Sequence, residues 1–288
     1  MRDVPEQYAL FINGEFVEGT GRISVINPAT EAVVGEVGTA SPDQILASIA
    51  AARGAFDRGS WATLKRAERV TIVTRLLDYF ETNAERLRRI IVQEAGCPVG
   101  SPVMAAQLDG PLRQTRDLLA YYLTLPEIEQ NPVPLMERIS ASGAFVESAK
   151  RYVPVGVVSA ISAYNFPFFL NLWKVVPALM TGNTVVLRPS PLTPYSALIF
   201  GEAANAIGLP PGVLNVIVDA GVEGGVTLTS HPDIDMVTFT GSSLVGEKVA
   251  AQASRRGCGV VVRLRLGAHR DRAQLRDCGF HRGRKLRC

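Results

Sequence analysis

Apolar and polar residues alternate along "ALFINGEFVEG" and "ISVINPATEAVVGEV", and each alternation is broken by a turn signal, Asn-Gly in the first and Asn-Pro-Ala-Thr in the second. A period of two sends successive side chains to opposite faces, so both stretches predict β-hairpins. The period then lengthens. "SPDQILASIAAARGAFD" opens on Ser41 or Asp43 as candidate caps and continues as an Ala-rich helix. From Ala67 to about Glu94, Val73, Leu76, Leu77, Phe80, Leu87 and Ile91 recur at helical spacing, with Arg and Glu between them. That pattern predicts a stripe facing a core. "MAAQLDGPLRQTRDLLAYYLTL" predicts a third helical region, interrupted at Gly110-Pro111.

After residue 145 the rhythm changes. "AFVESAKRYVPVGVVSAISAY" reads as an extended strand followed by a buried one, and "NLWKVVPALMTG" as a helix stopping on Gly182. "NTVVLRPS" predicts a buried strand, "PYSALIFGEAANAIG" a helix ending on Gly208, "VLNVIV" a strand, "GGVTLTSH" a short helix and "DMVTFTG" a strand. Strands that are continuously Val/Ile/Leu-rich and alternate with helices are covered on both faces, which means a parallel sheet. The expected fold is therefore α/β: a Rossmann-like parallel sheet preceded by N-terminal β-hairpins and a helical layer.

Composition changes this picture at one place. Residues 255–288 carry 11 Lys+Arg against 2 Asp+Glu, leaving 19 basic and 25 acidic residues before them, so a body of −6 precedes a tail of +9. Three of the four Cys (258, 278 and 288) also lie in this tail. A break this abrupt predicts a body over 1–254 and a basic tail of a different kind over 255–288. The tail's charge would attract nucleic acid or an acidic surface, but a solvated end is the reading preferred, and nucleic acid is not the expected partner. Cys278, His281 and Cys288 are too irregularly spaced for a metal site, and none is expected. No window is long and apolar enough to span a membrane, and "MRDVPEQYALFINGEF" has no apolar signal core, so the expectation is a cytoplasmic protein with no membrane partner.

In a parallel sheet, ligands gather at the carboxyl ends of the strands. Three turns qualify: after Ile161 (Ser162, Ala163, Tyr164, Asn165), after Leu187 (Arg188, Pro189, Ser190) and after Phe239 (Thr240, Gly241, Ser242). Thr240-Gly241-Ser242-Ser243-Leu244-Val245-Gly246 would bring free amides and hydroxyls to a helix N-terminus, where the dipole favours an anion. Small residues there equally serve a tight turn. Asn165 has an amide suited to an oxyanion, and Asn before Phe-Pro equally suits a turn followed by a helix.

Taken together, "PVGVVSAISAYNFPFFLNLWKVVPALMTGNTVVLRPS", "GLPPGVLNVIV" and "SHPDIDMVTFTGSSLVG" resemble the aldehyde dehydrogenase superfamily, and "INGEFV" and "NPATEAVVGEV" resemble its opening hairpins. The resemblance runs from about Tyr8 to Ser254. It implies oxidation of an aldehyde to a carboxylic acid with NAD or NADP, and homo-oligomerisation through an extended arm near 128–150. Asn165 falls on the oxyanion-hole Asn. Ile161, Ser162, Ala163 and Tyr164 fall on the nicotinamide side of the cofactor cleft, Arg188 and Ser190 on the adenosine ribose, and Gly221 and Gly225 along the adenine. Gly241, Ser242 and Gly246 fall on the pyrophosphate turn. Phe166, Phe168, Leu170 and Trp173 would line an aldehyde channel, although residues at this spacing also make ordinary core. Lys174 matches a family lysine near the active site, and a solvated helix lysine is the competing reading.

The chain also departs from the family. Arg188 stands where Lys is frequent and Pro191 where NAD users often have Glu, which favours tolerance of NADP because Arg188 would grip a 2′-phosphate. The family's general-base Glu lies in Leu-Glu-Leu-Gly-Gly; here the stretch is Leu264-Arg265-Leu266-Gly267-Ala268. Arginine accepts no proton at neutral pH. The nucleophilic Cys is expected farther on, in a second domain, so the catalytic domain is expected to be largely missing and the chain inactive alone. The alternative is a non-catalytic nucleotide-binding or interaction protein.

Overall fold

The fold comes from a computed structural model that describes residues 9–255 and 257–264. The chain opens with β1 (Leu10–Ile12) and β2 (Glu15–Val17), an antiparallel hairpin turned at Asn13-Gly14, then a second hairpin of β3 (Gly21–Ile26) and β4 (Val33–Thr39). Both expected hairpins are present. Helix α1 (Pro42–Arg58) starts at Ser41, whose hydroxyl accepts from the Gln44 amide while the Gln44 side chain accepts from the Ser41 amide. This reciprocal cap identifies Ser41, not Asp43, as the N-cap.

The helical layer follows: α2 (Arg66–Thr82), α3 (Ala84–Ala95), α4 (Pro102–Gln107) and α5 (Asp109–Thr124). The stripe read over 67–94 splits at Asn83, and its apolar members Val73, Leu76, Leu77, Phe80, Leu87 and Ile91 are all buried. The expected interruption at Gly110-Pro111 is corrected to Leu108. Pro111 sits in the first turn of α5, where its missing N–H has no intrahelical role. A thin antiparallel pair, β5 (Ile128–Gln130) and β6 (Ala149–Arg151), bounds a solvent-exposed excursion over the stretch read as an arm.

The α/β part then alternates as expected: β7 (Val157–Ile161), α6 (Pro167–Met180), β8 (Thr184–Arg188), α7 (Tyr195–Ala206), β9 (Leu214–Val216), α8 (Glu223–Ser230), β10 (Met236–Gly241), α9 (Ser243–Ser254) and β11 (Gly259–Leu264). Gly182 (φ +90°) and Gly208 (φ +65°) end α6 and α7 in left-handed conformations that a Cβ would strain. One seven-stranded sheet has the order β11-β10-β7-β8-β9-β1-β2; the first five strands are parallel and the β1–β2 hairpin completes the far edge antiparallel. Helices α6 and α7 cover one face, backed by α2, α3 and α5, while α1, α8 and α9 cover the other. The fold class is therefore α/β with a parallel-rich central sheet.

One expectation is corrected at its boundary. The segment after Ser254 is expected as a basic tail of a different kind from the body, yet Gly259–Leu264 is a parallel strand paired with β10 over six residues, Met236↔Gly259 to Gly241↔Leu264. Val260, Val261 and Val262 supply the β-branched run that outweighs the tail's charge there. Arg265, Cys278, His281 and Cys288 lie outside the described residues.

Candidate functional site

The carboxyl ends of β7, β8 and β10 lie side by side at one rim of the sheet, and each feeds a helix. The three helix N-termini are furnished differently. At α7, the carboxylate of Glu94 from α3 accepts from the Tyr195 amide (2.7 Å) and the Ser196 amide (3.0 Å), so the helix's first donors are already occupied. Glu94 is buried, and that burial pushes its carboxyl up to about 7 against the pull of those donors. At α6, Pro167 occupies the first turn and no side chain caps the helix. At α9, the Ser242 hydroxyl accepts from the Val245 amide (3.4 Å), and the first-turn amides of Ser243 and Leu244 have no intrahelical acceptor. Unlike that of α7, the first turns of α6 and α9 are met by no acidic side chain among the described residues.

The site residues read from the sequence fall into two groups along this rim. In the first, Arg188 forms an ion pair with Asp219 through Nε and donates from Nη2 to the Gly221 carbonyl (2.8 Å). A Cβ on Gly225 would sit 3.8 Å from the Arg188 guanidinium, in ordinary contact, so the glycine leaves space over the arginine. Arg188, Gly221 and Gly225 therefore converge, with Ser190 two residues beyond Arg188 in the turn toward α7. Arg188, expected from the sequence to be able to grip a 2′-phosphate, is already ion-paired. Asp219 offsets its charge at Nε, so a 2′-phosphate would meet a guanidinium that already has one carboxylate partner.

The second group encloses a hollow of about 210 Å³. Asn165, Ala163 and Gly241 bring polar and backbone groups; Phe166, Phe169 and Leu170 from the start of α6 form an apolar wall; Thr240 and Arg263 complete the lining. Asn165, Phe166, Leu170 and Gly241 were read from the sequence, whereas Phe169 and Arg263 were not. A Cβ on Gly241 would overlap the Phe239 ring, so this glycine is required by packing directly beneath the hollow. Ile161 and Ser162 are buried at the floor of the rim, where the Ser162 hydroxyl donates to Asn171 Oδ1 (2.6 Å) and the Ser162 amide to the Arg188 carbonyl (3.1 Å). Tyr164 is exposed, and Gly246 is buried within α9.

One channel assignment needs correction, and two neighbouring residues need their places stated. Phe168 is fully buried in an aromatic cluster with Phe80 (centroids 5.2 Å) and Phe200 (5.7 Å), so it is core. It points away from the wall formed by Phe166, Phe169 and Leu170 because successive positions on a helix face about 100° apart. Trp173 is 42% exposed and packs edge-on against Phe169; it borders a separate apolar groove with Leu118 and Tyr121 of α5. Lys174 is not a solvated helix lysine. It is buried and donates to Thr238 Oγ1 (2.9 Å), and desolvation, with the neighbouring Arg263 charge added, holds its amine down at about 7.

Comparison with known proteins decides the lineage. The model of the aldehyde dehydrogenase family matches residues 16–272. The chain belongs to that family. The match continues past Ser254 through β11, so the sequence reading stopped the family segment too early. Betaine aldehyde dehydrogenase, chloroplastic, of Atriplex hortensis is 35% identical over 253 residues, 85% of this chain and 49% of the relative. The NADP/NAD-dependent aldehyde dehydrogenase PuuC of Escherichia coli strain K12 is 32% identical over 250 residues, covering 85% and 48%. Among solved structures, the betaine aldehyde dehydrogenase of Staphylococcus aureus in complex with NAD+ superposes with a TM-score of 0.81 at 27% identity, covering 90% of this chain and 49% of that one. Aldehyde dehydrogenase from Bacillus cereus gives 0.79 at 32% identity, covering 91% and 51%. This family chain thus spans about half the length of the relatives it matches. Among the described residues no helix is long and apolar enough to cross a membrane, and no group of His, Cys, Asp and Glu is placed to hold a metal ion.

Proposed function

We propose that residues 9–264 form the cofactor-binding half of an NAD(P)-dependent aldehyde dehydrogenase, with the dinucleotide laid along the strand-tip rim. The observation that carries this reading is the contrast at the rim: α7 has its amides occupied by Glu94, while α9 offers open amides beside Gly241 and Ser242. The residues fit the cofactor. Ser242, with the Ser243 and Leu244 amides, would hold the pyrophosphate, and Gly225 leaves the space an adenosine needs over Arg188. Ile161, Ser162, Ala163 and Tyr164 would meet the nicotinamide end. When bound, NAD(P) supplies the hydride acceptor for aldehyde oxidation.

Within this reading Asn165 donates its amide to the oxygen of a carbonyl substrate lodged in the hollow, where Phe166, Phe169 and Leu170 exclude water. Lys174 is a buried polar support anchored to β10 through Thr238. The chain by itself binds the dinucleotide without turning over, because Arg265 stands where the family resemblance calls for a general-base Glu. Subunits would pair through the exposed excursion bounded by β5 and β6, whose strand edges are unpaired.

Fluorescence titration with NAD and with NADP tests cofactor binding, and propanal-dependent NADH formation tests turnover. Binding of either dinucleotide without NADH formation is the expected result. Absence of binding by a folded chain rejects the reading.

A further inference from the structure

The hollow beside Asn165 has an unusual charge balance. Among the described residues Arg263 is its one ionised lining side chain, and no carboxylate lines it. In the β10–β11 register Thr240 is opposite Arg263, so both lie on the face that carries Thr238 and meets α6. Lys174 reaches the same face from α6 and bonds there only to a neutral hydroxyl. Among the described residues Arg263 makes no ion pair; its guanidinium lies 5.9 Å from the centre of the Trp173 ring. A buried lysine amine and an exposed guanidinium at the mouth of the hollow therefore share one face that no described carboxylate reaches, which leaves the guanidinium's donors open to an anionic ligand. The depressed amine of Lys174, with Arg263 among its causes, is in accord.

We propose that this hollow is a carboxylate subsite anchored by Arg263, taking a short apolar carboxylate and rejecting ammonium-bearing ligands. The guanidinium provides a planar set of donors matched to a carboxylate, and the Asn165 amide adds a neutral donor at the same hollow. Phe166, Phe169 and Leu170 provide the wall for a short hydrocarbon body, and the volume of about 210 Å³ suits a few carbons. Two of the relatives above are named for betaine aldehyde, a quaternary ammonium compound. Arg263 repels such a cation at the position where the substrate body would rest. The inference rests on reading the hollow as a ligand site and assigns that site a charge preference.

Calorimetric titration of the 288-residue chain with butyrate, butyramide and butyltrimethylammonium at fixed ionic strength tests it. Butyrate should bind at least roughly tenfold more tightly than butyramide, the difference that one charge-assisted pair makes, and the ammonium ligand should not bind. Arg263→Gln should lower butyrate affinity by a similar factor and narrow the gap between acid and amide. Arg263→Lys, which keeps the charge and loses the planar fork, should fall between the two, with circular dichroism confirming the fold of each variant. Equal binding of acid and amide, no butyrate binding, or unchanged butyrate affinity in Arg263→Gln would overturn the proposal. NAD titration of the same samples separates the outcomes: a chain that holds NAD and ignores butyrate refutes the carboxylate subsite alone, whereas loss of NAD binding refutes the cofactor reading.

Discussion

Two helices begin at the same rim of the same parallel sheet, and their first turns meet opposite circumstances. The N-terminus of α7 is closed by a carboxylate carried on α3, 101 residues earlier in the chain; that of α9 is capped only by its own Ser242 and opens outward. Both ends have the same dipole and the same surplus of amide hydrogens. The difference lies in what is packed against them. The helical layer covers α7 and can deliver Glu94, whereas α9 lies on the other face beside α8 and β11, and among the described residues no acidic side chain lies in its first turn. At α7 the acceptor comes from within the fold and ties two layers together; at α9 the proposed cofactor would have to supply it.

The strongest way to break this comparison is to empty the closed end. Glu94→Ala leaves two buried amides without an acceptor and removes a tie between α3 and α7. Urea denaturation should show a loss of roughly 2–4 kcal/mol. A loss below about 0.5 kcal/mol would mean that the carboxylate contributes nothing there. Gly241→Val acts on the open end: its side chain must displace the Phe239 ring, and NAD affinity should drop at least roughly tenfold together with about 1–3 kcal/mol of stability. An unaltered dissociation constant in a folded variant would disconnect the hollow from cofactor binding.

Two titrations sharpen the contrast. Glu94 has a carboxyl raised from 4.5 to about 7, so the native state holds the proton more firmly than the unfolded chain. Its contribution is full below about pH 4.5 and is lost as pH rises through 7. Lys174, lowered from 10.5 to about 7, acts in the opposite sense: its contribution is full above about 10.5 and is lost as pH falls through 7. Together they place a shallow stability minimum near neutrality in a pH series of denaturant midpoints. Lys174→Met should flatten the alkaline limb, and Glu94→Gln the acidic one. The smallest effect is expected from Ser242→Ala, about 1 kcal/mol or less for a lost cap with a few-fold weaker NAD binding.

Local chemistry made much of the fold legible in the sequence. The Asn-Gly turn, the Ser41 cap, the glycine stops at 182 and 208 and the Val-rich strands each carry their own signal within a few residues. What the sequence concealed was long-range. Nothing in "QEAGCP" says that Glu94 ends beneath α7, and nothing in "VLRPS" says that Arg188 is ion-paired with Asp219. Helical spacing marked Phe166, Phe168 and Leu170 as apolar without saying which turned inward, so Phe168 was placed in a channel when it fills the core. The sequence left Lys174 between a lysine near the active site and a solvated one, because its burial depends on packing against Thr238 of a distant strand. Arg263 went unread because the basic composition of its segment masked the Val-Val-Val alternation that makes it a strand residue facing the hollow.

The parallel pairing of β11 with β10 has a geometric result of its own. Gly241 and Leu264 are register partners, so both strands run toward the same end of the sheet and the backbone leaves β11 beside the turn that opens onto α9. A single crossover through α9 thus returns the chain alongside the strand it left one helix earlier. The last described strand ends level with Gly241, and its penultimate residue, Arg263, comes to the hollow with no loop needed to carry it.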